Sequence, residues 1–144
     1  RRGAGTREVG AEPEVERSVS EVSAHAAVRG ALLQRQREVA ARGGVIMAGR
    51  DIGTVVLPNA DLKLYLEASP AVRAHRRQSD EERRGLKRPY GAVLADIERR
   101  DDIDTHRAVS PLRVADDARV IDTEDVDIAG VIDAIERVLA EWGG

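Results

Sequence analysis

Gly43-Gly44-Val45-Ile46-Met47-Ala48-Gly49-Arg50-Asp51-Ile52-Gly53-Thr54 is the stretch on which the fold reading turns. Two consecutive glycines end whatever helix precedes them, because a helix C-terminus favours a left-handed residue that only Gly adopts cheaply. Four apolar residues follow without interruption. A short continuous apolar run between glycines reads as a strand buried on both faces, as a parallel sheet requires. The chain then turns polar at once, with Arg50 and Asp51 side by side between Gly49 and Gly53. In open parallel sheets ligands sit beyond the carboxyl ends of the strands. The sequence therefore puts the Gly49–Thr54 turn on the functional edge.

Working outward, helices and short apolar strands alternate. Upstream, Pro13 opens a helical pattern carrying Val15, Val19 and Val22, and a second helix is expected from about Ala26 to Arg42, with Val28, Leu32, Leu33 and Val39 on one face. Downstream, Leu62–Leu66 reads as a second strand. Ser69-Pro70 reads as an N-cap followed by Pro at the first helical position. The helix it opens carries Arg73, Arg76 and Arg77. Residues 78–88, nearly all charged and containing Gly85, read as a solvated, mobile segment. Pro89 restarts a helix to about Asp104, and Ala118–Asp122 reads as a third strand. Asp127 caps a last helix whose Ile128, Val131, Ile132, Ile135, Val138, Leu139 and Trp142 form one apolar stripe. This order predicts an α/β parallel sheet.

Composition narrows the function classes. The chain has 144 residues, 23 basic and 26 acidic side chains and a net charge of -3, which argues against a dedicated nucleic-acid binder. It has no Cys, hence no disulfide framework, thiol nucleophile or Cys-based zinc site. No apolar run approaches the roughly 20 residues of a membrane span. Arg1–Gly5 has no apolar stretch behind its charges and does not read as a signal peptide, so a cytoplasmic protein is expected. Lys63 and Lys87 are the only lysines; every other basic residue is Arg, the side chain that grips phosphate bidentately.

The residues leave alternatives open. Arg50-Asp51 could clamp an anion and accept from an amino group, or form an ordinary strand-end turn with a local ion pair. Arg73, Arg76 and Arg77 share a helix face and need neutralising, either by Glu81, Glu82, Asp101 and Asp102 or by a polyphosphate of the kind phosphoryl transfer requires. Asp101, Asp102 and Asp104 lack a supporting glycine turn for a calcium loop, and His25, His75 and His106 have no metal-site spacing. A Gly-x-x-x-x-Gly-Lys-Ser/Thr phosphate loop does not occur in these residues.

Taken in order, Pro13-Glu14-Val15 through Ser20-Glu21-Val22-Ser23 to Val28-Arg29, Gly49–Ala60, Ala68-Ser69-Pro70 with Arg73–Arg77, and Arg100–Leu112 resemble the signature segments of bacterial cytidylate kinases over roughly residues 7 to 142. The resemblance implies a three-layer parallel sheet of the P-loop nucleoside-monophosphate kinase type, with the family's first strand and phosphate loop expected before Arg1. It implies transfer of the γ-phosphoryl of ATP, carried with Mg²⁺, to CMP or dCMP. Ser20, Arg29 and Asp51 would read the cytosine, Arg50 and Arg107 would hold the CMP phosphate, and Asp104 would bond the ribose hydroxyls. Arg73, Arg76, Arg77 and Arg100 would close over the ATP phosphates and the migrating group. Residues 1–44 would be the remainder of a CMP-binding insertion with its following helices. Residues 45–144 would be the core, with a lid at about 73–107. A monomer that binds small nucleotides, and neither nucleic acid nor membrane, is expected. This chain by itself is expected to be inactive, and the competing readings are a non-catalytic CMP-binding relict and a structural α/β remnant. Two positions depart from the family pattern: Gly10-Ala11-Glu12 stands where relatives usually carry Ile-Arg-Thr, and Ala26 replaces a usual Pro.

Overall fold

The computed structural model describes residues 22, 25–106 and 111–143. The helical pattern expected from Pro13 lies outside these residues except for Val22. The chain divides into two compact units, Arg1–Val45 and Ile46–Gly144.

In the first unit, α1 spans Ala26–Ala40. It ends as the glycines require: Gly43 and Gly44 adopt φ of 74° and 61°, a region where a Cβ would be strained. None of its residues is buried.

The second unit is built on a parallel strand pair. Strand β1 (Leu64–Glu67) pairs with β2 (Arg119–Asp122) in the register Leu64 to Arg119 through Glu67 to Asp122. Between them run α2 (Pro70–Arg83) and α3 (Tyr90–His106), which pack on each other. Helix α4 (Ile128–Trp142) follows β2 and packs on it. Capping chemistry sets the helix starts. The Ser69 hydroxyl accepts from the Val72 N–H at 3.3 Å, and Asp127 accepts from the Gly130 N–H at 2.9 Å. His75 of α2 stacks on Tyr90 of α3 with ring centroids 4.3 Å apart. Among the described residues the buried apolar side chains are Val56, Ala74, Val93 and Ile121.

Two sequence expectations need correcting. Val45–Ala48 is not a strand, and Ile46 is fully exposed. An apolar run becomes a strand only where its N–H and C=O groups find ladder partners, and the ladder here joins β1 to β2 alone. The described sheet therefore has two strands, not three. The next residues are not extended either. Ile52–Val56 forms one turn of π-helix, with the Val56 and Leu57 N–H groups donating to the Asp51 and Ile52 carbonyls at 3.2 and 2.7 Å. Such turns are rare, and they are frequent at functional sites.

The second correction concerns 78–88. Helix α2 continues through Gln78 to Arg83, and Glu81 is 3% exposed. Its Oε1 accepts from Arg77 Nε at 3.1 Å and from Arg88 Nη1 at 3.2 Å. Arg88 also pairs with Asp96 of α3 and receives a bond on its carbonyl from Gln78 Nε2 at 3.2 Å. The charges hold the α2–α3 turn together instead of dissolving it. Gly85, at φ 81°, provides the reversal.

Candidate functional site

Each end of the strand pair is closed by polar groups. At the amino end, Lys63 precedes β1 and Asp117 precedes β2. Lys63 Nζ donates to the Asp117 carboxylate at 2.7 and 2.8 Å and to the Pro58 carbonyl at 2.5 Å, with the lysine 8% exposed. Its aliphatic stem lies against Gly53, where a Cβ would meet Lys63 Cδ at 3.3 Å. Gly53 thus allows a close approach and does not serve a special φ; a side chain there would push the lysine stem back by a few tenths of an ångström. The lysine hydrogen bond holds the Asp117 carboxyl below the usual range.

At the carboxyl end, Glu124 beyond β2 accepts from the Ser69 N–H and hydroxyl, each at 2.6 Å. The Ser69 hydroxyl holds the Glu124 carboxyl below its ordinary value. Arg76 reaches from α2 to the same edge: Nη1 donates to the Thr123 hydroxyl at 3.1 Å, and Nη2 to the Thr123 carbonyl and, at 3.0 Å, to the Val126 carbonyl.

Arg73, one turn earlier on α2, starts a different cluster. Its Nε donates to the Ala68 carbonyl, just past β1, at 3.1 Å. Its Nη1 and Nη2 donate to the two oxygens of Asp101 at 3.1 and 2.5 Å, a bidentate pair. Arg50 meets the same carboxylate. Its Nη1 lies 3.1 Å from Asp101 Oδ1 and 2.7 Å from Asp104 Oδ2. Arg100 Nε lies 4.0 Å from Asp104 Oδ2. Arg50 comes from the turn, Arg73 from α2, and Asp101, Asp104 and Arg100 from α3, so three segments converge beyond β1.

The electrostatics follow from that geometry. Burial pushes the Asp101 carboxyl up, but the hydrogen bonds from Arg73 and Arg50 outweigh it and hold the group below the usual carboxylate range. The Asp101 hydrogen bond in turn raises the Arg73 guanidinium above its ordinary value. Both groups stay charged at neutral pH. Arg50 and Arg73 thus converge on the one Asp101 carboxylate, and both keep part of their side chains exposed.

Of the ten residues expected at the site, Arg50, Arg73, Arg100 and Asp104 come together here. Arg76 and Arg77, expected beside Arg73, point elsewhere: Arg76 to the loop after β2, Arg77 to Glu81. Helical spacing placed them on one face, but side chains this long choose their own partners. Asp51 lies at the start of the π-turn, its carbonyl accepting from Val55 at 2.9 Å, Val56 at 3.2 Å and Thr54 Oγ1 at 3.4 Å. Arg29 lies half-buried on α1 in the first unit. Ser20 and Arg107 fall outside the described residues. Asp101 was legible only as one of several neutralising carboxylates. Thr123 and Glu124 were not picked out at all; a Thr-Glu pair directly after a predicted strand was the available signal. No group of three or more His, Asp or Glu residues able to hold a metal occurs among the described residues. None of the described helices is long and apolar enough to cross a membrane.

The second unit is a parallel strand pair with an arginine-rich cluster beyond its first strand. Comparison with known proteins gives its family. The sequence profile of the cytidylate kinase family matches residues 5–141, and the chain belongs to that family. It is 50% identical over 128 residues to a protein named cytidylate kinase in Nocardia farcinica, a match covering 88% of this chain and 55% of the relative. It is 47% identical over 128 residues to one so named in an Exiguobacterium species, covering 89% and 57%. One so named in Rhodococcus opacus is 48% identical over 131 residues, covering 90% and 57%. The chain thus spans a little more than half the length of these relatives.

Proposed function

We propose that these residues form the CMP-binding side and the lid of a cytidylate kinase, which moves the γ-phosphoryl of ATP onto CMP or dCMP and yields CDP or dCDP and ADP. The observation that carries the reading is the convergence of two partly exposed guanidinium groups, Arg50 and Arg73, on one carboxylate beyond β1, in a chain of this family. Arg50 holds the CMP phosphate together with Arg107. Asp51, Ser20 and Arg29 read the base: a carboxylate accepts from the cytosine amino group, while hydroxyl and guanidinium donors meet the ring nitrogen and carbonyl. Asp104 bonds the ribose hydroxyls. Arg73 and Arg100 gather round the ATP phosphates and the migrating group, where charge develops during transfer, and Arg76 and Arg77 join them by exchanging Thr123, Val126 and Glu81 for phosphate as the lid closes.

Residues 1–44 are the remainder of the CMP-binding insertion with its following helices, and 45–144 belong to a three-layer core of the P-loop nucleoside-monophosphate kinase type. The lid lies at about 73–107. Its tip is tied by Glu81 and Arg88, which suits movement as one piece. Mg²⁺ enters with ATP as part of the co-substrate, on the phosphate oxygens it prefers. Substrates are small nucleotides, and a cytoplasmic monomer fits them.

The test is phosphoryl transfer by the full gene product, with ADP release followed against CMP, dCMP, UMP and AMP as acceptors. Rapid release with CMP and dCMP, and little with AMP, is expected. Equal rates with all acceptors, or none with CMP, contradict the reading.

A further inference from the structure

We infer that Asp101 is a positioning residue that orients Arg50 and Arg73 for a phosphate, acting through them without touching the nucleotide itself. The inference rests on the reading above and assigns a role to a residue outside the set of binding groups named there.

The geometry is that of a shared brace. One carboxylate takes a bidentate bond from Arg73 and a second bond from Arg50 at 3.1 Å. The arginines come from different segments, the turn before the π-helix and α2, while the brace sits on α3. Arg73 is fixed a third time by the Ala68 carbonyl at 3.1 Å. A guanidinium carries five N–H donors. Asp101 and Ala68 take three from Arg73, and the bonds that reach Arg50 from α3 both end on Nη1. Each guanidinium therefore still has N–H groups to offer an anion. The Arg50, Arg73 and Asp101 side chains are 32%, 35% and 25% exposed, so the arginines remain open to a ligand while their brace is more covered. Free arginine side chains lose considerable rotamer freedom on binding. Ordering them beforehand removes that cost from the binding step.

Charge and positioning predict opposite signs, which makes the inference testable. Asp101→Asn removes a negative charge near a dianionic phosphate, and Coulomb attraction alone would then tighten binding. Positioning predicts weaker binding. The experiment titrates CMP and cytidine into the full gene product and into its D101N variant by calorimetry, with thermal melts of both. The ratio of CMP to cytidine affinity isolates the phosphate. D101N is expected to lower that ratio about tenfold, the value of one charge-assisted hydrogen bond, while cytidine affinity stays level. A ratio that is unchanged or raised overturns the inference. Should D101N melt below the working temperature, Asp101→Glu supplies the readout. It keeps the charge but shifts the brace by one methylene, and is expected to lower the ratio; an unchanged ratio again overturns the inference. A wild-type chain that binds CMP no better than cytidine defeats the CMP reading itself, and the brace with it, a result distinct from failure in the variants.

Discussion

The two ends of the β1–β2 pair use the same kinds of side chain for different purposes. At the amino end one cation meets one carboxylate. Lys63 is buried, and its ammonium is used up by Asp117 and the Pro58 carbonyl. At the carboxyl end Arg50 and Arg73 share the Asp101 carboxylate, each stays about one-third exposed, and the cluster draws on three segments. A lysine that is covered and has all three donors occupied fixes the chain, although its aspartate stays exposed. Two arginines that share a carboxylate and stay partly open keep N–H groups for a charge the protein does not supply. The contrast matters more than the number of ion pairs, since exposed pairs contribute little to stability.

Substitutions at the two ends should separate these roles. The largest effect is expected from Arg50→Ala, which should cost CMP affinity about 2–3 kcal/mol as a charge-assisted hydrogen-bond group is lost, with the melting temperature nearly unchanged; calorimetry and a thermal melt check both. Lys63→Ala should do the reverse. It should lower stability by about 2 kcal/mol, from lost stem packing and unpaired carbonyl and carboxylate groups, and leave CMP affinity intact in the folded protein; denaturant unfolding measures it. Removing the α2 cap by Ser69→Ala should cost about 1 kcal/mol by the same unfolding assay. The smallest effect is acidic. Asp101 has a folded-state pKa below its unfolded value, so its contribution is complete above the unfolded value and disappears as pH falls through the folded one. After solvent screening it should be under about 1 kcal/mol, visible as a shallower acid unfolding curve for D101N than for wild type.

Local chemistry was the legible part of this sequence. Ser69-Pro70, Asp127 and Gly43-Gly44 announce helix boundaries by interactions within a few residues, and the structure has those boundaries. What depends on distant partners was less visible. Val45–Ala48 has the composition of a buried strand, but strand formation needs a neighbour that composition does not name. Residues 78–88 read as solvated because their charges are dense; whether Glu81 is buried depends on Arg88 folding back across Gly85. At the candidate site, Arg50, Arg73, Arg100 and Asp104 were recognisable from the family pattern. Sequence alone could not say that Arg76 and Arg77 would turn to other partners, or that Asp101, rather than Asp102, would face the arginines. On α3 these two aspartates differ by one residue and about 100° of rotation. Asp102 pairs with His106 at 3.0 Å on an exposed face.

The central claim, that the carboxyl end of the strand pair is a phosphate site for a cytidine nucleotide, is tested most directly by titrating the wild-type chain with CMP, cytidine and AMP under one buffer and salt condition. CMP is expected to bind at least about tenfold more tightly than cytidine, through its phosphate, and more tightly than AMP, through its base. Equal affinity for CMP and cytidine would contradict it.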